Sequence, residues 1–363
     1  MEGRERAVED LVEGLSFWRG KKVFLTGHTG FKGAWLSYIL TAAGADLTGY
    51  ALPPPTEPNL FSICEMGSKM KSIIGDIRDR EALHEAFRKA NPEITIHMAA
   101  QPLVRESYKN PAYTYETNVM GTVNILECVR RSDTARSFLN VTTDKVYANN
   151  EWEWGYRETD NLGGFDPYSN SKACSELVTQ SYRDSFFRDG GAAVSTARSG
   201  NVIGGGDFAK DRIIPDAIRS IRKNEAIQVR RPDSIRPYQH VLEPLLAYLM
   251  IAEKQYADGN YAGCYNIGPD ENDCVTTGNL VDLFCKCWGN GLSWETASKS
   301  GPHEAGLLKL DSSKIKAKFN WKPRINIDTA VNLTVEWTRA YLRGEDVKAV
   351  MDRQIRDYEG YLE

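Results

Sequence analysis

The chain is short of several features that would set its class. No apolar run approaches the roughly 18 residues a membrane span needs, so a spanning protein is not expected. Met1 to Leu15 is rich in Glu and Arg and holds no apolar stretch, which argues against a secretory signal. A short frayed or amphipathic extension over residues 1–16 and a cytoplasmic setting are expected instead. Basic charge is not in surplus: 45 Lys and Arg stand against 49 Asp and Glu, a formal net charge of −4, which gives no electrostatic reason to expect nucleic acid. Cysteine is sparse, with seven scattered residues, an odd number that suits reduced thiols better than a disulfide framework. The one close pair, Cys285 and Cys287, has the wrong spacing for a zinc knuckle, and no metal is expected. Low-complexity segments and internal repeats are absent.

What is present is an alternation of strands and helices. Lys22 to Thr26 reads as a short apolar strand, followed by a Gly-rich turn and an amphipathic helix from about Phe31 to Ala43. Ala45 to Leu52 is a second strand, ended by three prolines. A short strand ends at Gly75, Arg80 to Ala90 is a helix, and Ile94 to Met98 is a buried strand. A helix over Thr117 to Arg131, a strand over Arg136 to Thr142, a helix over Ser169 to Phe187 and a strand over Ala193 to Ser199 complete the series. This spacing predicts an α/β fold with a doubly wound parallel sheet, which places ligands at the carboxyl ends of its strands. Past Gly200 the texture changes to Gly-, Arg- and Pro-containing segments. Trp288, Trp294 and Trp321 then suggest a loop-rich lobe that closes over a substrate. At 363 residues, one large core and a smaller lobe fit. We assign residues 17–199 to a dinucleotide-binding domain, 200–345 mainly to a substrate lobe and 346–363 to a tail.

Two motifs carry chemistry. Gly27, Gly30 and Gly33 follow a strand and open a helix, where glycine lets the backbone approach a pyrophosphate on the positive end of that helix. The spacing is GxxGxxG rather than the commoner GxGxxG. The strand before it makes a Rossmann-type dinucleotide site the better reading, against three glycines needed only for tight packing. The second strand ends Gly49-Tyr50-Ala51-Leu52, without the acid that usually grips the adenosine ribose and without an arginine for a 2′-phosphate. Lys32 is a candidate cation there, yet without an arginine NAD is favoured over NADP. Asp76, with Ile77, is an alternative acidic clamp on the adenine side, or else an ordinary helix-cap aspartate. Tyr168 and Lys172, at i and i+4 after Asp166-Pro167, share a helix face, and the cation is expected to let the phenol lose its proton near neutral pH.

With these two motifs in this order, the chain resembles the extended, nucleotide-sugar-modifying branch of the short-chain dehydrogenase/reductase family, over about Lys21 to Trp337. The resemblance extends to His97-Met98-Ala99-Ala100-Gln101, to Asn118, and to Arg236-Pro237-Tyr238-Gln239-His240-Val241. It implies a cofactor set of Gly27, Thr29, Gly30, Phe31, Lys32, Gly33, Asp76, Ile77, Ala99, Ala100, Gln101, Asn118, Thr142, Tyr168 and Lys172. It implies substrate contacts at Asn201, Arg212, Arg236 and His303, with Arg236 on a phosphate. The plainer alternative for Arg212 and Arg236 is a rim salt bridge each. Homodimers, or dimers of dimers, are implied through the helices bearing Tyr168 and Asn118, with Leu177, Val178, Val123, Leu126 and Val129 as apolar contacts.

Thr142-Thr143-Asp144-Lys145 points to the reaction. The resemblance makes Thr143 the hydroxyl partner of the tyrosine. Epimerases of this family need no further proton-transfer groups, whereas dehydratases need two, and Asp144 and Lys145 are such a pair. Solvated turn charges are the bland alternative. Lysine at 145 departs from the dTDP-glucose and GDP-mannose dehydratases, which carry glutamate there. It agrees with the subgroup acting on CDP-glucose, as do residues 151–158, 201–215, 234–244, Pro302-His303-Glu304 and Leu308-Lys309-Leu310-Asp311. The Trp152/Trp154 pair reads as a loop packed on its own domain rather than a substrate wall. The resemblance therefore implies a 4,6-dehydratase that moves a hydride from C4 to C6 of CDP-glucose, on the way to deoxy sugars of surface polysaccharide. The alternatives are another sugar nucleotide, a 4-epimerase, or an NAD-sensing regulator.

Overall fold

The computed structural model describes residues 14–297 and 305–360. Its centre is a seven-stranded parallel sheet. The elements that build it are β1 (Lys22–Thr26), α1 (Phe31–Ala42), β2 (Asp46–Ala51), β3 (Lys71–Ile74), α2 (Arg80–Ala90), β4 (Ile94–His97) and α3 (Gly121–Arg130). They continue with β5 (Ser137–Val141), α4 (Pro167–Phe186), β6 (Ala193–Ser199), α5 (Leu242–Ala257) and β7 (Cys264–Ile267). Strand order is β7-β6-β5-β4-β1-β2-β3, so the order reverses at β1, between β2 and β4. All six pairings are parallel. Parallel sheets are covered on both faces, which is why β4 and β5 are buried at every position.

Local signals set the ends of the helices. Asp79 caps α2 by accepting from the Ala82 amide, and Asn91 ends it in the left-handed conformation. Asp166 accepts from the Ser169 amide at 3.0 Å, and Pro167 takes the first helical position of α4. Tyr168 thus sits at the mouth of the helix, with Lys172 one turn inside. Ahead of α3, residues Glu116–Met120 form a π-helical stretch rather than regular helix, and they carry Asn118.

β7 and α5 come from the segment expected to serve mainly the substrate lobe: β7 pairs with β6 and completes the sheet. The lobe beyond is made of short pairs. Val275–Thr276 runs antiparallel to Ile235–Arg236, and Trp294–Thr296 parallel to Ile227–Val229. Residues 347–360, expected as a tail, are a helix that packs back on the body. Met351 is buried against Cys64, and Tyr358 donates to Glu243 at 3.0 Å. All seven cysteines are free. No helix among the described residues is long and apolar enough to cross a membrane.

Leu126 and Val129, expected on a subunit interface, lie in the protomer's own core with Phe24, Phe87 and Phe138. α3 is apolar on more than one face, so sequence could not say which face turned inward. Met120, Leu177 and Phe186 are large apolar side chains left exposed on the 116–120 stretch and α4.

Candidate active site

A cleft of about 2010 Å³ runs along the carboxyl ends of the strands. At the β1–α1 turn, Gly27 has φ +79°, and a Cβ there would lie 2.8 Å from the Ala99 amide. A Cβ at Gly33 would stand 2.1 Å from the Gly27 carbonyl oxygen. Those two glycines are required by packing. Gly30 differs, since a Cβ there meets nothing nearer than 3.6 Å while the residue lines the cleft. Its missing side chain leaves room for a ligand, and together with the start of α1 this fits a dinucleotide pyrophosphate. Thr29 fixes the turn by donating to the Leu52 carbonyl at 2.9 Å.

The Thr26 hydroxyl accepts from the amides of Met98 and Ala99 at 3.0 and 3.1 Å and so ties β1 to the loop after β4. Ala99, Ala100 and Gln101 of that loop line the cleft, together with Phe31 and Thr142. Asn118 does not. It is buried behind the loop, accepting from the Gln101 amide at 2.8 Å and donating to Ser171 on α4 at 2.9 Å. His97, between Thr26 and Thr122, is pushed down to about 3 by burial and is a neutral packing group.

Asp76 and Ile77 line the other end of the cleft. The cap of α2 is Asp79, so Asp76 is not a cap. Its carboxylate is bound by Arg78 at 2.7 Å, which holds it below the usual carboxylate range. Arg78 in turn reaches Glu116 at 3.1 Å and covers the Tyr113 ring. Lys32 is not where a 2′-phosphate would bind. Its Nζ donates to Tyr248 at 2.8 Å and Ser199 at 3.1 Å, at the far side of the cleft, because α1 turns that face toward β6. Burial pushes it down to about 7, and the nearby Arg212 and Lys172 charges act in the same direction.

Thr143, Lys145, Tyr168 and Lys172 line the same cleft. Asp144 is fully buried behind them. Its Oδ1 accepts from Thr143 at 2.9 Å and from the Lys145 ammonium at 3.0 Å, while Oδ2 has no partner among the described residues. This is not a pair of solvated turn charges. Lys145 also donates to Asn201 at 3.3 Å. The Tyr168 phenol is not lowered as expected. Burial pushes it up to about 12, against a hydrogen bond with Thr143 and the Arg212 charge. Lys172 gives its own hydrogen bond to the Val141 carbonyl at 2.9 Å, and burial brings it down to about 8. Desolvation of the phenol thus outweighs the cations around it.

Arg212 lines the cleft and is paired with Asp207 at 2.9 Å. Arg236 also lines it, with its guanidinium on the carbonyls of Ile235 and Ala305. His303 lies outside the described residues. Trp152 packs in a ladder with Trp154, Tyr156 and Tyr147 and does not line the cleft, nor do Trp288, Trp294 and Trp321. Sequence reasoning missed Ser199 and Tyr248. Tyr248 sits in an apolar helix, α5, whose pattern reads only as core.

The sheet order, the glycine turn and the Thr–Tyr–Lys grouping define a nucleotide-sugar epimerase or dehydratase fold. Solved structures with this fold include UDP-glucose 4-epimerase of Thermotoga maritima, with a TM-score of 0.77 and 20% identity over 88% of this chain and 99% of that one. Another is the dTDP-glucose 4,6-dehydratase DesIV of Streptomyces venezuelae, solved with NAD bound, with a TM-score of 0.75 and 22% identity over 89% and 98%. The chain belongs to the GDP-mannose 4,6 dehydratase family, which it matches over residues 24–334. It is 49% identical to CDP-glucose 4,6-dehydratase of Salmonella typhimurium, over 94% of this chain and 97% of that protein.

Proposed function

We propose that the protein is an NAD-dependent hydro-lyase converting CDP-glucose to CDP-4-dehydro-6-deoxyglucose and water. The observation that carries the reaction class is the 3.0 Å contact of Lys145, which lines the cleft with Tyr168, to Asp144 buried directly behind it. It supplies the two proton-transfer groups that an epimerase does not need. The nucleotide rests on the similarity to the Salmonella enzyme over nearly the whole length of both chains.

Bound NAD supplies the acceptor and then the donor for a hydride moving from sugar C4 to C6. Tyr168 takes the O4 proton, with Thr143 hydrogen-bonded to it and Lys172 nearby to balance the phenolate. The 4-ketone so formed acidifies C5. Lys145 first passes a proton to Asp144 across their 3.0 Å hydrogen bond. The neutral amine then takes the C5 proton while the Asp144 carboxyl delivers its proton to the departing O6 hydroxyl, so water leaves across C5 and C6 and the ion pair is restored. Arg212 and Arg236 face the substrate diphosphate. NAD rather than NADP is favoured because β2 ends without an arginine and Lys32 points elsewhere.

To test this, the protein is incubated with NAD and CDP-, UDP-, dTDP- or GDP-sugars. Mass spectrometry should show loss of one water from CDP-glucose, with a C4 deuterium recovered at C6. A product of unchanged mass would mean epimerisation, and loss of water from another nucleotide would refute the base assignment. We further infer a homodimer through α3, α4 and the 116–120 stretch, where Met120 and Leu177 are exposed. Sedimentation showing only monomer at micromolar concentration would refute it.

A further inference from the structure

Beneath the reacting groups lies a buried ion pair that the steps above do not use. Glu176 is on α4, one turn beyond Lys172. Arg198 of β6 donates to its Oε2 at 2.9 Å, and the two side chains are only 1% and 2% exposed. The carboxylate also accepts from Thr196 at 2.7 Å and from Thr142. Arg198 donates to the Tyr147 hydroxyl at 2.8 Å, which donates on to Asn266 of β7 at 2.7 Å. Thr142 and Tyr147 both line the cleft. One ion pair therefore joins α4 to the ends of β5, β6 and β7 where the chemistry sits.

A buried pair of this kind gains little stability over apolar side chains of similar volume. The charge must be sought in what it faces. Lys172 has Tyr168 and Glu176 on its own helix, Lys32 from α1, His97 from β4 and the Val141 carbonyl from β5. Burial disfavours its ammonium form, and Glu176 is the acid that opposes it.

We propose that Glu176 is a positioning residue of this site: clamped by Arg198, it holds Thr142 at the cleft wall and supplies the negative charge that keeps Lys172 an ammonium beside Tyr168. This rests on the roles given to Tyr168 and Lys172 above. Glu176→Gln keeps the shape and removes the charge. Glu176→Asp keeps the charge and shortens the reach to Thr142.

The test is the titration of Lys172, read by NMR of Cε-labelled lysine in the full chain, with the signal assigned by its absence in Lys172→Arg. In Glu176→Gln the midpoint should fall by about one unit, the size expected for losing one nearby opposite charge. In Glu176→Asp it should stay near the parent value while turnover falls several-fold. A merely structural Glu176 would move neither midpoint. If Glu176→Gln does not fold, Arg198→Met serves: its unneutralised carboxylate should move the Lys172 midpoint up. An unchanged midpoint in Glu176→Gln, or in Arg198→Met when that is the variant that folds, overturns the proposal. The titration needs neither cofactor nor sugar nucleotide. A shifted midpoint in a protein that leaves CDP-glucose intact would remove the reaction assignment and leave the link between Glu176 and Lys172 standing.

Discussion

Alanine at Gly30 and alanine at Gly33 should have opposite consequences, although the two residues are three apart on one turn. At Gly33 the new methyl would stand 2.1 Å from the Gly27 carbonyl oxygen and 2.8 Å from the His28 Cα. Both are backbone atoms, so the first turn of α1 must lift off the end of β1. Overpacking of this kind costs about 1–3 kcal/mol or more, and at roughly 2–4 °C per kcal/mol for a mid-sized domain the melting temperature should fall by several degrees. At Gly30 the nearest atom is 3.6 Å away and φ is −77°, a backbone any residue adopts. Glycine and alanine at a helix N-cap differ by about 1 kcal/mol at most, so the melt should move little. The added methyl stands at the cleft wall where the pyrophosphate must approach. NAD affinity, measured by calorimetric titration, should drop at least about tenfold, or roughly 1.4 kcal/mol. A Gly30→Ala protein that binds NAD like its parent would refute the placement of the pyrophosphate. A Gly33→Ala protein that melts like its parent would refute the close approach.

Tyr168→Phe removes the group that takes the O4 proton, and turnover should fall by about two to four powers of ten; a variant with parental turnover would remove Tyr168 from the chemistry. Because burial holds the parental phenol toward its neutral form, turnover should rise with pH through the neutral range, and a flat profile would count against a tyrosinate. Lys145→Met should spare the first step and stop the second. The 4-keto sugar, trapped with borodeuteride, should still form while exchange of the C5 proton with D₂O falls by about two to four powers of ten. Exchange near the parental rate would exclude Lys145 as the C5 base.

The strands β1, β4, β5 and β6 and the helices α1, α2 and α4 were legible to within a residue or two, because each is marked locally. Buried apolar runs, the glycine turn, Asp79 with Asn91, and Asp166-Pro167 all act within a few positions of where they stand. β7 was not legible: Cys264–Ile267 is four residues long, and its place is fixed by pairing with β6, more than sixty residues earlier. The site divides in the same way. Residue types at 143, 145, 168 and 172 follow from order along the chain, but the state of each depends on what packs against it. Tyr168 and Lys172 are one turn apart, as expected, yet burial at the cleft wall keeps the phenol high, and Lys172 gives its hydrogen bond to Val141. Glu176 carried no signal because its partner, Arg198, lies on another element, and Asn118, expected on the cofactor, instead holds the Gln101 loop from behind.

The cations of the cleft are not equally compensated, and the difference has a sign in stability. Arg212 is matched by Asp207 and Lys145 by Asp144, at 2.9 and 3.0 Å. Lys32 has two hydroxyls and no carboxylate contact among the described residues, and it is held down to about 7 from an ordinary value of 10.5. An unfolded chain would keep that lysine protonated up to about pH 10.5, so between about 7 and 10.5 the unfolded state binds more protons than the folded one. Stability of the protein without ligands should therefore rise with pH across that window, and below about 7 the full cost of the buried charge is present. Lys32→Met removes the cost. Tyr248 and Ser199 already hydrogen-bond each other at 2.7 Å, so the substitution leaves neither hydroxyl without a partner. The variant should melt higher than its parent at pH 6 to 7, and the difference should shrink as pH approaches 10, as read from thermal melts across that range. A variant that melts lower throughout would show that the two hydrogen bonds outweigh the buried charge. A higher melting point with weaker binding of the dianionic sugar nucleotide would mean that the cleft keeps an unmatched cation because its ligand is what matches it.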